Sequence, residues 1–246
     1  MSIIDYSFFD SLKNYLLIDS LSVSYTGLSG KAGAALTLFE LSRKDSFLEN
    51  YAFEIFKESL VFLNNDFSYK GTVGVGLILN YLIDNKLIDA DFEELFGESH
   101  RKIVQQALSG AFPTVNVCDL LLYFLLSNKI TDSNDACIQA LLSNLPNENA
   151  KIQRNWNFIA THFAMDKRLR QPVKVPQVSD SNFLIDQVDR LFHAIYKKND
   201  TDDIIHNIVS AKLNFMEPDF NLALSRLLLL RLYPNQIPPR LLFFFY

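Results

Sequence analysis

Cysteine and histidine are the residues of this sequence that could bind a metal ion. The chain contains two cysteines and four histidines, which are Cys118, Cys137, His100, His162, His193 and His206. A catalytic zinc site needs three protein ligands and an open position, so both thiols and one histidine would be enough. The cysteines lack C-x-x-C spacing, however, and no histidine adjoins either of them. We therefore interpret the cysteines as buried free thiols and expect no cofactor, with zinc as the alternative.

Two pairs of adjacent carboxylates are candidates for an acid–base couple, Glu93 with Glu94 and Asp202 with Asp203. Neighbouring side chains diverge on a helix, whereas general acid–base catalysis needs groups that face one substrate. Acidic residues in the first turn of a helix favour its dipole, which is the simpler role for both pairs. We expect the histidines to be surface or hydrogen-bonded residues, and the sequence identifies no catalytic residue.

A short basic segment at residues 166–176 contrasts with the net charge of −5 of the whole chain. Its sequence is DKRLRQPVKVP, and its four cations are Lys167, Arg168, Arg170 and Lys174. Cations at the end of a helix favour the helix dipole, which is the simpler interpretation. The functional alternative is a docking site for an acidic peptide, because arginine pairs well with carboxylates.

The overall composition argues against several classes of protein. The net negative charge is unlike that of a general nucleic-acid binder, which needs clustered excess lysine and arginine. The first residues, MSIIDYSFFD, lack the positive region of a signal peptide. No apolar run approaches the roughly 18 residues of a membrane span. We therefore expect a cytoplasmic protein that binds neither nucleic acid nor a membrane.

Two glycine clusters occupy matching positions in the sequence. Gly30 and Gly33 begin one apolar segment, and Gly71 and Gly74 occupy the same places in a second segment further along the chain. A match at this spacing indicates a repeat of two helices with short loops. Glycine within a helix costs about 1 kcal/mol relative to alanine, so these residues need a structural reason. Either a turn with positive φ or the close approach of a neighbouring backbone would provide one.

Helical periodicity runs through the chain, and strand alternation is nearly absent. Segments that are apolar on most faces alternate with amphipathic segments, as expected for enclosed and outer helices. The predicted helices cover residues 6–18, 32–43, 46–63, 73–85, 89–108, 118–128, 133–145, 155–169, 181–197, 202–213 and 219–233. We predict one all-α domain over residues 1–246, with helical hairpins in 1–165, a loop at 166–180 and C-terminal helices in 181–246.

Three local signals add detail to this prediction. Asp89 or Asp91 is suited to cap the fifth predicted helix, since aspartate accepts hydrogen bonds from free amides. Gly110 follows Gly71 at nearly the interval that separates Gly71 from Gly30, which indicates a fainter third repeat.

The terminal LLFFFY, residues 241–246, is apolar and would favour association with other surfaces if it were exposed. We expect it to pack into the groove of an incomplete ring, with self-association of two copies as the alternative.

The glycine segments resemble those of the lanthionine synthetase C-like (LanC-like) proteins. The resemblance is carried by GLSGKAGAALTLFELSR at residues 27–43 and YKGTVGVGLILNYLIDNKLIDADFEELFGE at residues 69–98. It implies an α/α toroid, in which glycine-rich segments start inner helices that ring a cavity and outer helices surround them. For a chain of this length, an incomplete ring or an open solenoid is the alternative.

The resemblance also defines what this sequence lacks. Enzymes of the family hold zinc with two cysteines and a histidine, and one of these cysteines is followed directly by the histidine. Their zinc activates a peptide thiolate, which adds to a dehydrated serine or threonine. In this sequence Asp119 follows Cys118 and Ile138 follows Cys137, so no zinc ligand is carried over.

The functional expectation follows from the resemblance and the missing Cys-His pair together. We expect a zinc-free, non-catalytic protein of lanthipeptide (lantibiotic) biosynthesis that binds a ribosomal peptide or assists its modification. One alternative is a thioether-forming cyclase or other toroid enzyme whose site is not visible in the sequence. The other is a helical-repeat adaptor for another protein.

Overall fold

The computed structural model describes residues 14–145, except residues 15, 19, 29, 43–44, 111–115 and 128–132. The helices of this part are α1 (Lys31–Leu41), α2 (Ser46–Val61), α3 (Thr72–Asp84), α4 (Phe92–Ser109), α5 (Val117–Leu126) and α6 (Ser133–Ser143). Helical residues at 16–18 and 20–22 precede them. The described residues contain no strand, which confirms the all-α fold class for this part of the chain. None of their helices is long and apolar enough to cross a bilayer.

The described residues form two compact units, divided in the sequence between Phe62 and Leu63. The first unit contains α1 and α2, and the second contains α3 to α6. The toroid or solenoid arrangement and the single domain over residues 1–246 stay predictions.

In the first unit, α1 is enclosed and α2 is amphipathic. Residues 32–40 of α1 are all buried. The buried residues of α2 are Leu48, Ala52, Ile55, Phe56 and Ser59. They recur every three or four positions, which is the pattern of a helix with one face on a core. Lys31 at the start of α1 forms an ion pair with Glu58 of α2, so the two helices are linked by charge as well as by apolar packing.

The second unit contains two enclosed helices, α3 and α5, and an amphipathic helix, α4. Residues 72–82 of α3 are buried, as are residues 117–124 of α5 apart from Asp119. The buried face of α4 consists of Phe92, Phe96, Gly97, Ile103 and Ala107. Both α4 and α5 pack against α3, and α6 packs against α4 and α5. The core of this unit therefore lies between the enclosed helices and the inner side of α4.

Aspartate caps determine where the two amphipathic helices begin. Asp45 accepts hydrogen bonds from two amides in the first turn of α2, at 3.0 and 3.4 Å. Asp91 accepts one from the amide of Glu94 in α4, at 2.8 Å. These bonds satisfy amides that the first turn of a helix leaves without partners. Asp91 rather than Asp89 is therefore the cap of α4, and Glu93 and Glu94 lie in its first turn as the sequence predicts.

Gly30 permits a tight turn before α1. Its φ is −124° and its ψ is −143°, so positive φ is not the reason for glycine here. A Cβ at Gly30 would lie 2.0 Å from the carbonyl oxygen of Tyr25. That carbonyl accepts the amide of Lys31 at 3.0 Å, and the amide of Gly30 donates to Gly27 at 3.0 Å. Close approach of the backbone is what requires glycine at this position.

Gly71 has the same surroundings before α3. Its φ is −118° and its ψ is −139°. A Cβ at Gly71 would lie 2.3 Å from the carbonyl oxygen of Asp66. That carbonyl accepts the amide of Thr72 at 2.8 Å, and the amide of Gly71 donates to Ser68 at 3.1 Å. Each of these atoms has a counterpart at the matching position of the turn before α1, so the two glycine segments share one local structure.

Gly110 does not begin a third helix of the same kind, which corrects its interpretation from spacing alone. Gly110 is the residue after α4, in the left-handed conformation with φ 67°. Glycine is favoured at that position because it ends a helix without a steric penalty. The following enclosed helix, α5, begins only at Val117. The interval between Gly71 and Gly110 therefore coincides with a helix end rather than with a helix start.

Candidate functional site

Both thiols are buried inside the second unit. Cys118 lies in the first turn of α5 and Cys137 lies in α6. Burial raises the pKa of the Cys118 thiol to about 12, and the nearby charge of Asp119 adds to this effect. Burial also raises the pKa of Cys137, to about 11. Because the thiolate is the nucleophile and the metal ligand, both residues are held in their unreactive form near neutral pH.

The described residues do not fit a zinc site. They contain no group of three cysteine, histidine, aspartate or glutamate side chains that could hold a metal ion. The remaining histidines, His162, His193 and His206, lie outside the described residues.

His100 is hydrogen-bonded to a buried tyrosine on another helix. The Nδ1 atom of His100 in α4 lies 2.8 Å from the hydroxyl oxygen of Tyr123 in α5. Burial, with a smaller contribution from the charge of Glu93, raises the pKa of Tyr123 far above its usual value. The hydroxyl therefore keeps its proton, and which of the two groups donates the hydrogen bond depends on which ring nitrogen of His100 carries the proton.

The surroundings of His100 favour the neutral imidazole. Burial lowers its pKa below the ordinary 6.5; Glu93 acts in the opposite direction, and Arg101 lowers the pKa further. The ring of Phe92 meets the imidazole edge-on, with centroids 6.2 Å apart and an interplanar angle of 67°. The neutral ring has one N–H donor and one acceptor nitrogen.

Tyr123 is positioned by close packing on Gly76. A Cβ added to Gly76 of α3 would lie 3.0 Å from Cε2 of Tyr123 and 2.5 Å from Cε1 of Phe96. Gly76 thus lets an aromatic ring from α4 and another from α5 reach the backbone of α3. The matching position of the first glycine segment is Ala35, so this close approach belongs to the second segment and is not part of the repeat.

A groove of about 600 Å³ runs along the outer side of α4. Among the described residues, it is lined by His100, Arg101, Val104, Gln105, Leu108 and Ser109. The lining residues form two rows at helical spacing, one at positions 100, 104 and 108 and one at 101, 105 and 109. Most of the lining surface is apolar, and Leu108 is 50% exposed. The groove therefore presents an apolar row beside a polar one.

The charged groups next to the groove are paired on the surface. The guanidinium of Arg101 lies 2.8 Å from the carboxylate of Glu93, and the ammonium of Lys102 lies 2.7 Å from that of Glu98. Exposed ion pairs of this kind contribute about 0–1 kcal/mol to stability. Arg101 can therefore exchange Glu93 for the carboxylate of a bound molecule at small cost.

The structure describes the predicted structural glycines but not the predicted docking residues. Gly30 and Gly71 precede α1 and α3, and Gly33 and Gly74 are buried as the third residue of each helix. The basic docking residues Lys167, Arg168, Arg170 and Lys174 lie outside the described residues, as does the terminal segment 241–246. The docking role of the basic segment stays a prediction.

The groove and the His100–Tyr123 hydrogen bond were not identified from the sequence. The two partners lie on different helices, so their contact depends on how α4 and α5 pack. The row at positions 100, 104 and 108 has helical spacing in the sequence, but that spacing does not tell whether the row faces a core or solvent.

Comparisons of this chain with protein-family models, with curated proteins and with solved structures found no significant match. The link to LanC-like proteins therefore depends on the two glycine segments.

Proposed function

We propose that this chain is a non-catalytic binding protein that holds a peptide in the groove along α4. The observation that carries the proposal is the mostly apolar lining of that groove, in which Leu108 is half exposed and Arg101 lies beside it. A peptide with an apolar side chain next to a carboxylate fits both features. The apolar side chain would cover Val104 and Leu108, and the carboxylate would accept charge-assisted hydrogen bonds from Arg101.

The state of the thiols supports binding rather than thioether chemistry. A cyclase needs a metal-bound or otherwise activated group at its site. Cys118 and Cys137 are fully buried, and burial raises the pKa of both. The chain is therefore proposed to act without zinc and without a catalytic cysteine.

The resemblance to LanC-like proteins indicates which peptide to consider first. The equivalent turns at Gly30 and Gly71 support the internal repeat of the two segments that carry the resemblance. On this basis we propose a cytoplasmic partner of a ribosomal peptide that undergoes lanthipeptide-type modification. A cyclase with a site elsewhere in the chain would instead close thioether rings in a dehydrated peptide. An adaptor would bind a folded protein and ignore linear peptides.

Two leucines of α4 allow a matched test of the groove. Leu108 lines it and is 50% exposed, whereas Leu95 does not line it and is 43% exposed. Peptides are selected from a random library on the immobilised full chain, and the affinity of a selected peptide is measured by calorimetry. We expect Leu108→Glu to weaken binding about tenfold or more, because a buried charge opposes an apolar contact, and Leu95→Glu to change it less than about twofold. Equal effects of the two substitutions, or a library that yields no peptide, would contradict the proposal.

A further inference from the structure

We propose that Glu93 is a built-in competitor for Arg101, which a carboxylate of the bound peptide displaces. This inference rests on the proposed binding of a peptide in the groove along α4, and it adds how that groove distinguishes its partners. It also gives a role to Gly97, which lies between the two charged residues in the sequence.

Glu93 lies on the same row of α4 as the polar side of the groove. Positions 93, 97, 101, 105 and 109 follow one another at intervals of four, so they share one side of the helix. The last three of these positions belong to the lining of the groove. Glu93 therefore approaches Arg101 from the N-terminal end of the groove.

Gly97 provides the space through which the Glu93 side chain reaches Arg101. Eight residues of an α-helix span about 12 Å along its axis, so the two side chains must extend towards each other. A Cβ on Gly97 would lie 2.4 Å from Oε1 of Glu93, and the same oxygen accepts a hydrogen bond from Nη1 of Arg101 at 2.8 Å. The ion pair therefore uses the space that a side chain at position 97 would fill.

The Glu93 carboxylate can be replaced by that of a peptide. The side chains of Arg101 and Glu93 are 69% and 64% exposed, so a peptide reaches the guanidinium and water receives the released carboxylate. The observed bond joins Nη1 of Arg101 to one oxygen of Glu93, whereas a carboxylate in line with the guanidinium can accept two parallel bonds. An uncharged peptide has no group that could take the place of Glu93.

The affinity of the full-length chain for a peptide selected from the random library tests the competition. The peptide is used in two forms, one with its carboxylates and one with every carboxylate converted to an amide. We expect Glu93→Gln to strengthen binding of the carboxylate form about two- to fivefold, because Arg101 loses its internal partner. Binding of the amide form should change less than about 1.5-fold, since it does not use the charge of Arg101.

Two further variants separate the position of the Glu93 carboxylate from its charge. Gly97→Ala keeps the charge but moves the carboxylate away from Arg101, so it should also strengthen binding of the carboxylate form. Glu98→Gln is the matched control, because it removes one charge from α4 while Glu98 pairs with Lys102 outside the groove lining. Its effect on either form should be less than about 1.5-fold.

The outcomes distinguish this inference from the proposed function. Binding that depends on Leu108 but responds equally to Glu93→Gln and Glu98→Gln would overturn the competition and leave the proposed function in place. The same holds for a selected peptide that binds equally well with and without its carboxylates. A library that yields no peptide contradicts the proposed function and this inference together.

The ion pair itself can be measured in the free chain, without any peptide. The guanidinium NMR signal of Arg101 is assigned by its absence in Arg101→Gln. We expect this signal to shift in Glu93→Gln and in Gly97→Ala, and to shift much less in Glu98→Gln. An Arg101 signal that Glu93→Gln leaves unchanged would show that Glu93 does not occupy Arg101 in solution, and the proposal would be wrong.

Discussion

Gly76 and Gly97 both lie inside helices of the second unit, but they face different neighbours. A methyl group on Gly76 would meet the rings of Phe96 and Tyr123, the nearest atom at 2.5 Å. The atoms nearest to a methyl group on Gly97 would be those of the carboxylate end of Glu93, the closest at 2.4 Å. Packed rings cannot move aside, whereas the end of an exposed glutamate can.

The two alanine substitutions should therefore have opposite effects. We expect Gly76→Ala to lower the free energy of unfolding by about 1–3 kcal/mol, as overpacking of a core does. Gly97→Ala should raise it by up to about 1 kcal/mol, because alanine is the better helix former and Glu93 can turn away. Urea denaturation of the two variants measures both changes in the free energy of unfolding. A Gly76→Ala variant as stable as the natural chain would show that the aromatic rings are not packed on this glycine.

At the scale of single residues, the sequence indicates that a glycine in a helical segment has a structural role, but it does not show what that role is. Gly76 belongs to a cluster whose other members start a helix, and yet it serves the packing of Tyr123. The role of His100 was equally hidden, since the hydrogen bond joins residues on separate helices. Such roles depend on packing between elements, which periodicity does not encode.

The turn before α3 is the element-scale feature that the sequence predicts best. Its glycine is needed because the carbonyl of Asp66 passes close to Gly71 and accepts the amide of Thr72. Gly71→Ala should therefore displace that carbonyl and destabilise the chain by about 1–3 kcal/mol. Hydrogen exchange should become faster at the amide of Thr72 in particular. Slow exchange at Thr72 in a variant of unchanged stability would contradict this account of the turn.

Within the described residues, the helices from 31 to 143 were predicted to within a few residues, because their patterns are strong. The predicted helices at 155–169, 181–197, 202–213 and 219–233 lie outside the described residues. The predicted helix at 46–63 is Ser46–Val61 in the structure, and the one at 73–85 is Thr72–Asp84. The cap at Asp91 was one of two candidates, and only the hydrogen bond to Glu94 distinguishes it. Gly110 was misread because spacing alone cannot tell the end of one helix from the start of the next.

At the scale of the whole molecule, a helical framework carries the groove that we propose for peptide binding. The enclosed helices α3 and α5 form the core of the second unit, and α4 covers that core while exposing its groove. The groove is a feature of the folded unit, whereas the expectation of a peptide partner came from the resemblance to LanC-like proteins. The matched leucine substitutions test whether the groove binds a peptide, and the identity of a selected peptide tests the expected class of partner.

The central claim is that this chain acts by binding, with its thiols buried and free of metal. The most direct test is the zinc content of the full-length chain, purified without chelators and measured by mass spectrometry. We predict far less than one zinc per chain, because the described residues contain no group of three side chains that could hold a metal ion. About one zinc per chain, lost in Cys118→Ala, would contradict the account and identify a metal site instead.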